Sequence, residues 1–187
     1  LKDTGFNALR IAHNPPSLTL LEMCDEMGII VMDEAFDCWR QVKGGELNYH
    51  KWFDEWWERD ISYMVLRDRN HPCVFSYSIG NEIPESYGTA DGDELSEKLA
   101  LEIKKYDTTR PVTSATWQMG DAETWAERTE KYFAPLDMCG YNYIFQRYES
   151  DHELYPSRVI WGSETQPQLY VYQLLASVFL ILASYHR

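Results

Sequence analysis

The chain has 187 residues, of which 44% are hydrophobic and 14% aromatic, and its formal net charge is -13. This apolar content is sufficient for one sizeable core and excludes an intrinsically disordered chain. The acidic balance argues against nucleic acid or an anionic membrane as a partner, because phosphate groups are bound by clustered Lys and Arg.

Six apolar segments with strand character alternate with helical stretches along the chain. They span residues 7–11, 29–33, 73–79, 111–115, 137–141 and 158–164. This alternation is typical of an α/β fold with a parallel sheet. Two architectures fit it, a doubly wound open sheet or a slice of a (β/α)8 TIM barrel. No GxGxxG motif follows the first segment, which weakens the dinucleotide-binding version.

Helices are predicted between these segments over residues 18–27, 49–70 and 93–106. Ser17 is a suitable N-cap for the first helix, and Gly28 a suitable end. The residues predicted to face the core are Leu18, Leu21, Met23 and Cys24 in the first helix, and Trp52, Phe53, Trp56, Trp57 and Met64 in the second. The Gly-, Asn- and Asp-containing segments 43–48 and 84–93 are predicted to be surface loops.

The four cysteines are widely spaced and form no CxxC pair, so neither a zinc site nor a disulfide framework is indicated. Cys24, Cys38, Cys73 and Cys139 are expected to be reduced and mostly buried. The first ten residues contain no signal segment, which leaves secretion undecided. A cytoplasmic location is favoured over the alternatives, but the sequence does not decide it.

Residues 1–167 are interpreted as one partial TIM-barrel domain, and residues 168–187 as an apolar C-terminal tail of uncertain origin. A whole barrel takes about 250 residues, so we expect about six strands here and missing βα units at both ends. The most apolar stretch of this tail, residues 171–184, is shorter than the roughly 20 residues of a membrane-spanning helix, which favours a buried helix over a membrane segment. A third interpretation is that this tail is not native sequence.

Polar side chains stand at the carboxyl ends of the predicted strands, where parallel α/β folds place their active residues. They are Arg10 with His13, Asp33 with Glu34, Asn81 with Glu82, Thr116 with Trp117, Asn142 with Tyr143, and Glu164. Glu82 and Glu164 each follow a pair of small residues that lets the backbone approach a ligand. Hydrolysis of an acetal needs two carboxyl groups that flank the bond, and these two glutamates supply them.

Five motifs in order resemble the barrel domain of the family 2 glycoside hydrolases, the group of β-galactosidases and β-glucuronidases. The motifs are GFNALRIAHNPPS, LLEMCDEMGIIVMDEAF, NHPCVFSYSIGNE, GYNY and VIWGSET. The resemblance implies a retaining exo-β-glycosidase, with β-galactosidase favoured and β-glucuronidase as the nearest alternative. It also implies that a longer form carries additional β domains and is a homo-oligomer.

The resemblance also implies roles for individual residues. Glu82 matches the general acid/base, and Glu164 matches the nucleophile. The substrate-binding matches are Asn81 at the sugar 2-hydroxyl, His13 near the sugar, Tyr143 beside the nucleophile, and Arg10 as its electrostatic support. No cofactor is required for this chemistry, although some relatives use magnesium or sodium.

Several alternatives stay open at this point. Glu82 could cap the following turn, and one of Asp33 and Glu34 could pair with Arg10 while the other faces solvent. The fragment could bind sugar without hydrolysing it, like a lectin. A metal-dependent barrel could instead use Asp33, Glu82, Glu164 and His13 as ligands, since divalent ions accept carboxylate and imidazole groups.

Overall fold

The computed structural model describes residues 1–117 and 124–165. Six strands form one sheet: β1 (Ala8–Arg10), β2 (Ile30–Glu34), β3 (Val74–Asn81), β4 (Val112–Trp117), β5 (Met138–Asn142) and β6 (Ile160–Glu164). All neighbouring pairs are parallel, and the spatial order of the strands follows the chain from β1 to β6. The six predicted strands and the parallel α/β class are confirmed.

The sheet is a curled part of a barrel. A doubly wound sheet reverses its strand order at a switch point, whereas here the order runs on without reversal. In a flat sheet, β1 and β6 would lie about 24 Å apart, five spacings of about 4.8 Å. Instead, Arg10 Nη1 on β1 lies 2.7 Å from Glu164 Oε1 on β6. The sheet therefore curves until side chains from its first and last strands meet at the carboxyl ends, as in a truncated TIM barrel.

Six α-helices among the described residues connect the strands. They are α1 (Leu18–Met27), α2 (Phe53–Asp68), α3 (Ala90–Tyr106), α4 (Trp125–Arg128), α5 (Glu130–Phe133) and α6 (Tyr148–Leu154). Apolar residues of α1 to α5 and the outer side chains of the strands form the principal core, which includes Leu21, Phe53, Ile61, Leu99 and Tyr141. This core fixes the positions of the strand ends.

The predicted boundaries of α1 are confirmed. The Ser17 hydroxyl accepts a bond from the Leu20 amide, and Gly28 ends the helix in the left-handed region. Its predicted buried side is only half right, since Leu21 and Cys24 are buried but Leu18 and Met23 are exposed.

The prediction of a surface loop over residues 84–93 is wrong in its second half. The helix α3 begins at Ala90, because the Thr89 hydroxyl accepts the Gly92 amide as an N-cap. Glu85 and Ser86, just before it, are buried rather than exposed.

Trp52 was predicted to face the core as part of the second helix. It precedes α2 and is 48% exposed, so this prediction is also wrong.

All four cysteines are buried free thiols, as predicted. Within residues 1–117 and 124–165, the longest helices are too short or too polar to cross a membrane. The apolar tail predicted over residues 168–187 lies outside the described residues.

Candidate active site

Glu82 and Glu164 stand at the carboxyl ends of β3 and β6, where the small residues before them are sterically required. A Cβ added to Gly80 would lie 2.6 Å from the Ile83 side chain, and one added to Gly162 would lie 2.6 Å from the Tyr148 hydroxyl. Neither space accepts a side chain. The glycines therefore allow the Ile83 and Tyr148 side chains to pack closely against the backbone, and the approach of a ligand to this backbone stays a prediction.

Arg10 links the two sides of the barrel mouth. Its guanidinium donates to Glu34 through Nε (3.2 Å) and Nη2 (2.7 Å), to Glu164 through Nη1 (2.7 Å) and to Asn81 through Nη2 (2.9 Å). Burial alone would lower its pKa, but the charges of Glu34 and Glu164 outweigh burial and raise it. Arg10 is therefore a fixed cation between the two carboxylates.

Of the two acidic residues at the end of β2, Asp33 and Glu34, it is Glu34 that pairs with Arg10. It is fully buried and pairs with Arg10, while the Ser78 hydroxyl donates to its Oε2 at 2.7 Å. Asp33 does not face solvent as expected for the other member, because it is also fully buried. Successive side chains of a strand point to opposite faces, so Glu34 enters the barrel and Asp33 turns towards α2.

Glu164 is held by two donors at the mouth. Arg10 binds its Oε1, and the Tyr143 hydroxyl donates a short hydrogen bond to its Oε2. Burial would raise the pKa of Glu164, but the bonds from Tyr143 and the charge of Arg10 outweigh burial and lower it. The same bond raises the pKa of Tyr143 to about 12, so this phenol stays a donor. Tyr141 instead points outwards, its hydroxyl on Asp151 at 3.0 Å.

Glu82 lies across the mouth from Glu164. Its Oε1 accepts from Asn142 Nδ2 at 3.0 Å, and its amide donates to the Ala115 carbonyl at 2.7 Å. The backbone of Glu82 is left-handed, with φ of 46°, a conformation that costs on the order of 1 kcal/mol and is common at functional sites. The short helix Pro84–Ser86 has no side-chain cap, so the capping alternative for Glu82 is wrong.

Asn81 and His13 complete the polar cluster beside Arg10. His13 Nδ1 lies 2.8 Å from Glu34 Oε1, and its Nε2 lies 3.4 Å from Asn81 Nδ2. An imidazole with its proton on Nδ1 satisfies both contacts, since Asn81 Nδ2 is itself a donor. All six residues predicted for the site therefore gather at one mouth.

Comparison with known proteins identifies the family of this barrel. The family model for the TIM barrel domain of the family 2 glycosyl hydrolases matches residues 1–161. The chain belongs to glycoside hydrolase family 2.

Relatives of this family 2 barrel are similar over most of its length. A β-galactosidase of Bacteroides ovatus is 39% identical, and the match covers 76% of this chain and 20% of that protein. A putative β-glucuronidase of Formosa agariphila is 40% identical over 66% of this chain and 11% of that protein. A solved family 2 structure from Bacteroides cellulosilyticus superimposes with a TM-score of 0.81 at 47% identity, covering 88% of this chain and 20% of that one. The chain thus spans a fifth or less of the length of these proteins.

Four further residues support the site of this family 2 domain and were not assigned a role from the sequence. Lys43 donates to Asp37 at 2.6 Å and to the Asn81 carbonyl at 2.7 Å. Ser163 donates to Asn142 Oδ1 at 2.5 Å and so orients the amide that reaches Glu82. Asn142 and Ser163 stand at the carboxyl ends of strands, and this position in the sequence indicates a role in the site. Lys43 lies in a Gly-rich loop, where the sequence carries no such signal.

The four proposed metal ligands of the alternative hypothesis do not converge in this family 2 barrel. Asp33 lies on the helix side of the sheet, near Asp68 and Arg67. No donor among the described residues reaches its carboxyl oxygens. Burial, and then the neighbouring Asp68 carboxylate, raise the pKa of Asp33 well above its usual range. Asp33 is therefore separated by the sheet from the three residues at the mouth.

One group with metal-ligand chemistry occurs among the described residues, at the amino end of β3. Its members are Asp25, His71 and Cys73, whose ligand atoms lie within 4.8 Å of one another. Asp25 already accepts from His71 Nδ1 at 2.6 Å and from the Cys73 amide at 2.8 Å, and the Cys73 thiol donates to the Leu21 carbonyl at 3.5 Å. These bonds join α1 to β3, which gives the group a structural role.

Proposed function

We propose that this chain is the catalytic part of a retaining exo-β-glycosidase that cleaves terminal β-galactosides. The observation that carries the proposal is the pair Glu82 and Glu164, two carboxyl groups from opposite parts of one barrel mouth in different environments. Glu164 is bonded to a partly buried cation and a phenol, whereas Glu82 is bonded to a neutral amide. Such a difference supports the ionised role for Glu164 and the proton-donor role for Glu82.

In the proposed reaction, the Glu164 carboxylate attacks the anomeric carbon while Glu82 gives its proton to the departing oxygen. A covalent glycosyl ester forms on Glu164, and its charge is lost. Glu82, now a carboxylate, takes a proton from water, which attacks the same carbon and releases Glu164. Arg10 and the Tyr143 hydroxyl stabilise the Glu164 anion before attack and after release.

The charges at the mouth favour a neutral sugar over a glucuronide. Four carboxyl groups, Glu34, Asp37, Glu82 and Glu164, surround two cations, Arg10 and Lys43. Both cations are bonded to carboxylates of the chain itself. A substrate carboxylate would have to displace one of these bonds, and like charges nearby would oppose it. This supports galactoside as the substrate, although one relative is named as a putative β-glucuronidase.

The proposal is tested by covalent trapping, followed by hydrolysis of chromogenic β-galactoside and β-glucuronide. A 2-deoxy-2-fluoro galactoside should label Glu164, which peptide mass spectrometry would locate. Glu164→Gln should lose the label and lower turnover by several orders of magnitude. Glu97→Gln, an exposed carboxylate on the outer side of α3, is the matched control and should change neither.

The stereochemistry of the first product distinguishes a retaining mechanism from an inverting one. A retaining enzyme should release the β-anomer first, since two displacements occur at one carbon. Release of the α-anomer, or a label on a residue other than Glu164, would overturn the proposal. A chain that binds galactoside but forms no ester would be a lectin-like module instead.

A further inference from the structure

Trp117 is a large aromatic side chain at the barrel mouth with no role in the site described so far. It is the last residue of β4, whose five earlier residues are buried. Trp117 itself is 41% exposed. Its position relative to Glu82 gives this exposed ring a function.

The register of the sheet places Trp117 on the side of the mouth next to Glu82. Trp117 pairs with Asn142 on β5, and paired residues of parallel strands point to the same face. The side chain of Asn142 enters the barrel, where Nδ2 reaches Glu82 Oε1 at 3.0 Å. Trp117 therefore leaves the sheet on this face too. Ala115, two residues earlier on that face, accepts the backbone amide of Glu82.

The backbone of Trp117 is fixed while its ring is left accessible. Its carbonyl accepts bonds from the Tyr87 hydroxyl at 3.2 Å and from Trp125 Nε1 at 3.3 Å. Burial raises the pKa of the Tyr87 phenol, and the nearby charge of Glu82 raises it further. Tyr87, Trp117 and Glu82 are thus neighbours at one side of the mouth.

The proposed role of Glu82 indicates which part of a substrate reaches this side. Trp117 ends β4, which pairs with β3, and Glu82 directly follows β3, whereas other polar residues of the site lie on both sides of these two strands. A general acid must face the oxygen of the leaving group. On the basis of the proposed function, we propose that Trp117, with Tyr87 beside it, forms the subsite for the leaving group and selects a ring, sugar or aryl, over a small alkyl group.

Stacking supplies the selectivity of this subsite. The flat indole face contacts the apolar face of a ring over a large area, and a methyl group covers little of it. A ring contact of this kind corresponds to roughly a tenfold difference in affinity. The glycone contacts, made by other residues, are common to both kinds of substrate.

The test compares two non-hydrolysable ligands, phenyl β-thiogalactoside and methyl β-thiogalactoside, by calorimetric titration of the full chain. The unaltered chain should bind the phenyl ligand about tenfold more tightly. Trp117→Ala should abolish this preference and leave the affinity for the methyl ligand unchanged, while Trp117→Phe should keep part of it. Trp52→Ala removes a comparably exposed tryptophan, 48% exposed at the start of α2, and should change nothing.

The outcomes separate the subsite from the proposed function. If Trp117→Ala weakens both ligands equally or neither of them, the subsite is refuted while galactoside binding stands. If the unaltered chain binds neither thiogalactoside, the proposed function fails and the subsite with it. Thermal unfolding of each variant shows whether the fold is retained, and Trp117→Phe repeats the test with a smaller change.

Discussion

Replacing Arg10 by Met tests whether one cation makes a buried carboxylate tolerable inside the barrel. Glu34 is fully buried and is bonded to Arg10 Nε and Nη2, to His13 and to Ser78. Removing one partner of a buried ion pair costs about 3–5 kcal/mol, because the other charge is left uncompensated. Two partners of Glu34 remain after the substitution, so we expect about 3 kcal/mol, a large fraction of a typical stability of about 5–15 kcal/mol.

Equilibrium unfolding in urea measures this free energy. Arg40→Met is the matched control, since Arg40 pairs with Asp54 and Asp91 at the surface and should cost no more than about 1 kcal/mol. Adding Glu34→Gln to Arg10→Met should recover part of the loss, because the uncompensated charge is then gone. If Arg10→Met costs no more than the surface control, or the second substitution worsens the loss, the reasoning about the buried pair is wrong.

Three further predictions concern proton equilibria and metals. Tyr143→Phe removes a donor to the Glu164 carboxylate, so the pKa of Glu164 should rise and the acid limb of kcat/KM should move to higher pH; Tyr63→Phe, on an exposed face of α2, should not move that limb. The pKa of Asp33 is raised in the fold, so its contribution to stability is present below the unfolded value of about 4 and declines above it. Urea unfolding of Asp33→Asn should therefore show a flatter pH dependence and a stability advantage over the unaltered chain that widens as pH rises above about 4; the opposite trend would mean that Asp33 is ionised in the fold. Carboxyl groups are assigned both proton transfer and attack, so galactoside turnover should persist in EDTA, and its loss together with recovery on adding magnesium would contradict this.

The sequence predicted the strands and the mouth well, because both depend on local patterns. Apolar runs ending in small and polar residues marked the six strands, and parallel pairing brings those ends together whatever the helices do. Glu82, Glu164, Arg10 and Tyr143 therefore converge as predicted, with the two glutamates on the strands that the motifs SIGNE and WGSE indicated.

The remaining features depend on contacts between distant segments. The choice between Asp33 and Glu34 as partner of Arg10 was undecided from sequence, because only the strand phase determines which side chain enters the barrel. Lys43 reaches Asn81 from a loop whose course no local pattern specifies. The start of α3 was missed because Thr89 and Gly92 follow a buried turn that reads as a surface loop.

The contact between Arg10 and Glu164 has a consequence for how ligand binding and folding are coupled. The first and last strands of the sheet supply its two ends, so the distance between them measures how tightly the sheet is rolled. A substrate that bonds to both sides of the mouth would hold β1 and β6 at the distance that the curved sheet requires. Such a ligand stabilises the rolled form over flatter ones, by a free energy that grows with the logarithm of the ligand concentration above its dissociation constant. The outer edges of β1 and β6 pair with no further strand among residues 1–117 and 124–165. Strands added at those edges would hold the same curvature from the opposite side, so strand addition and ligand binding would each increase the affinity for the other.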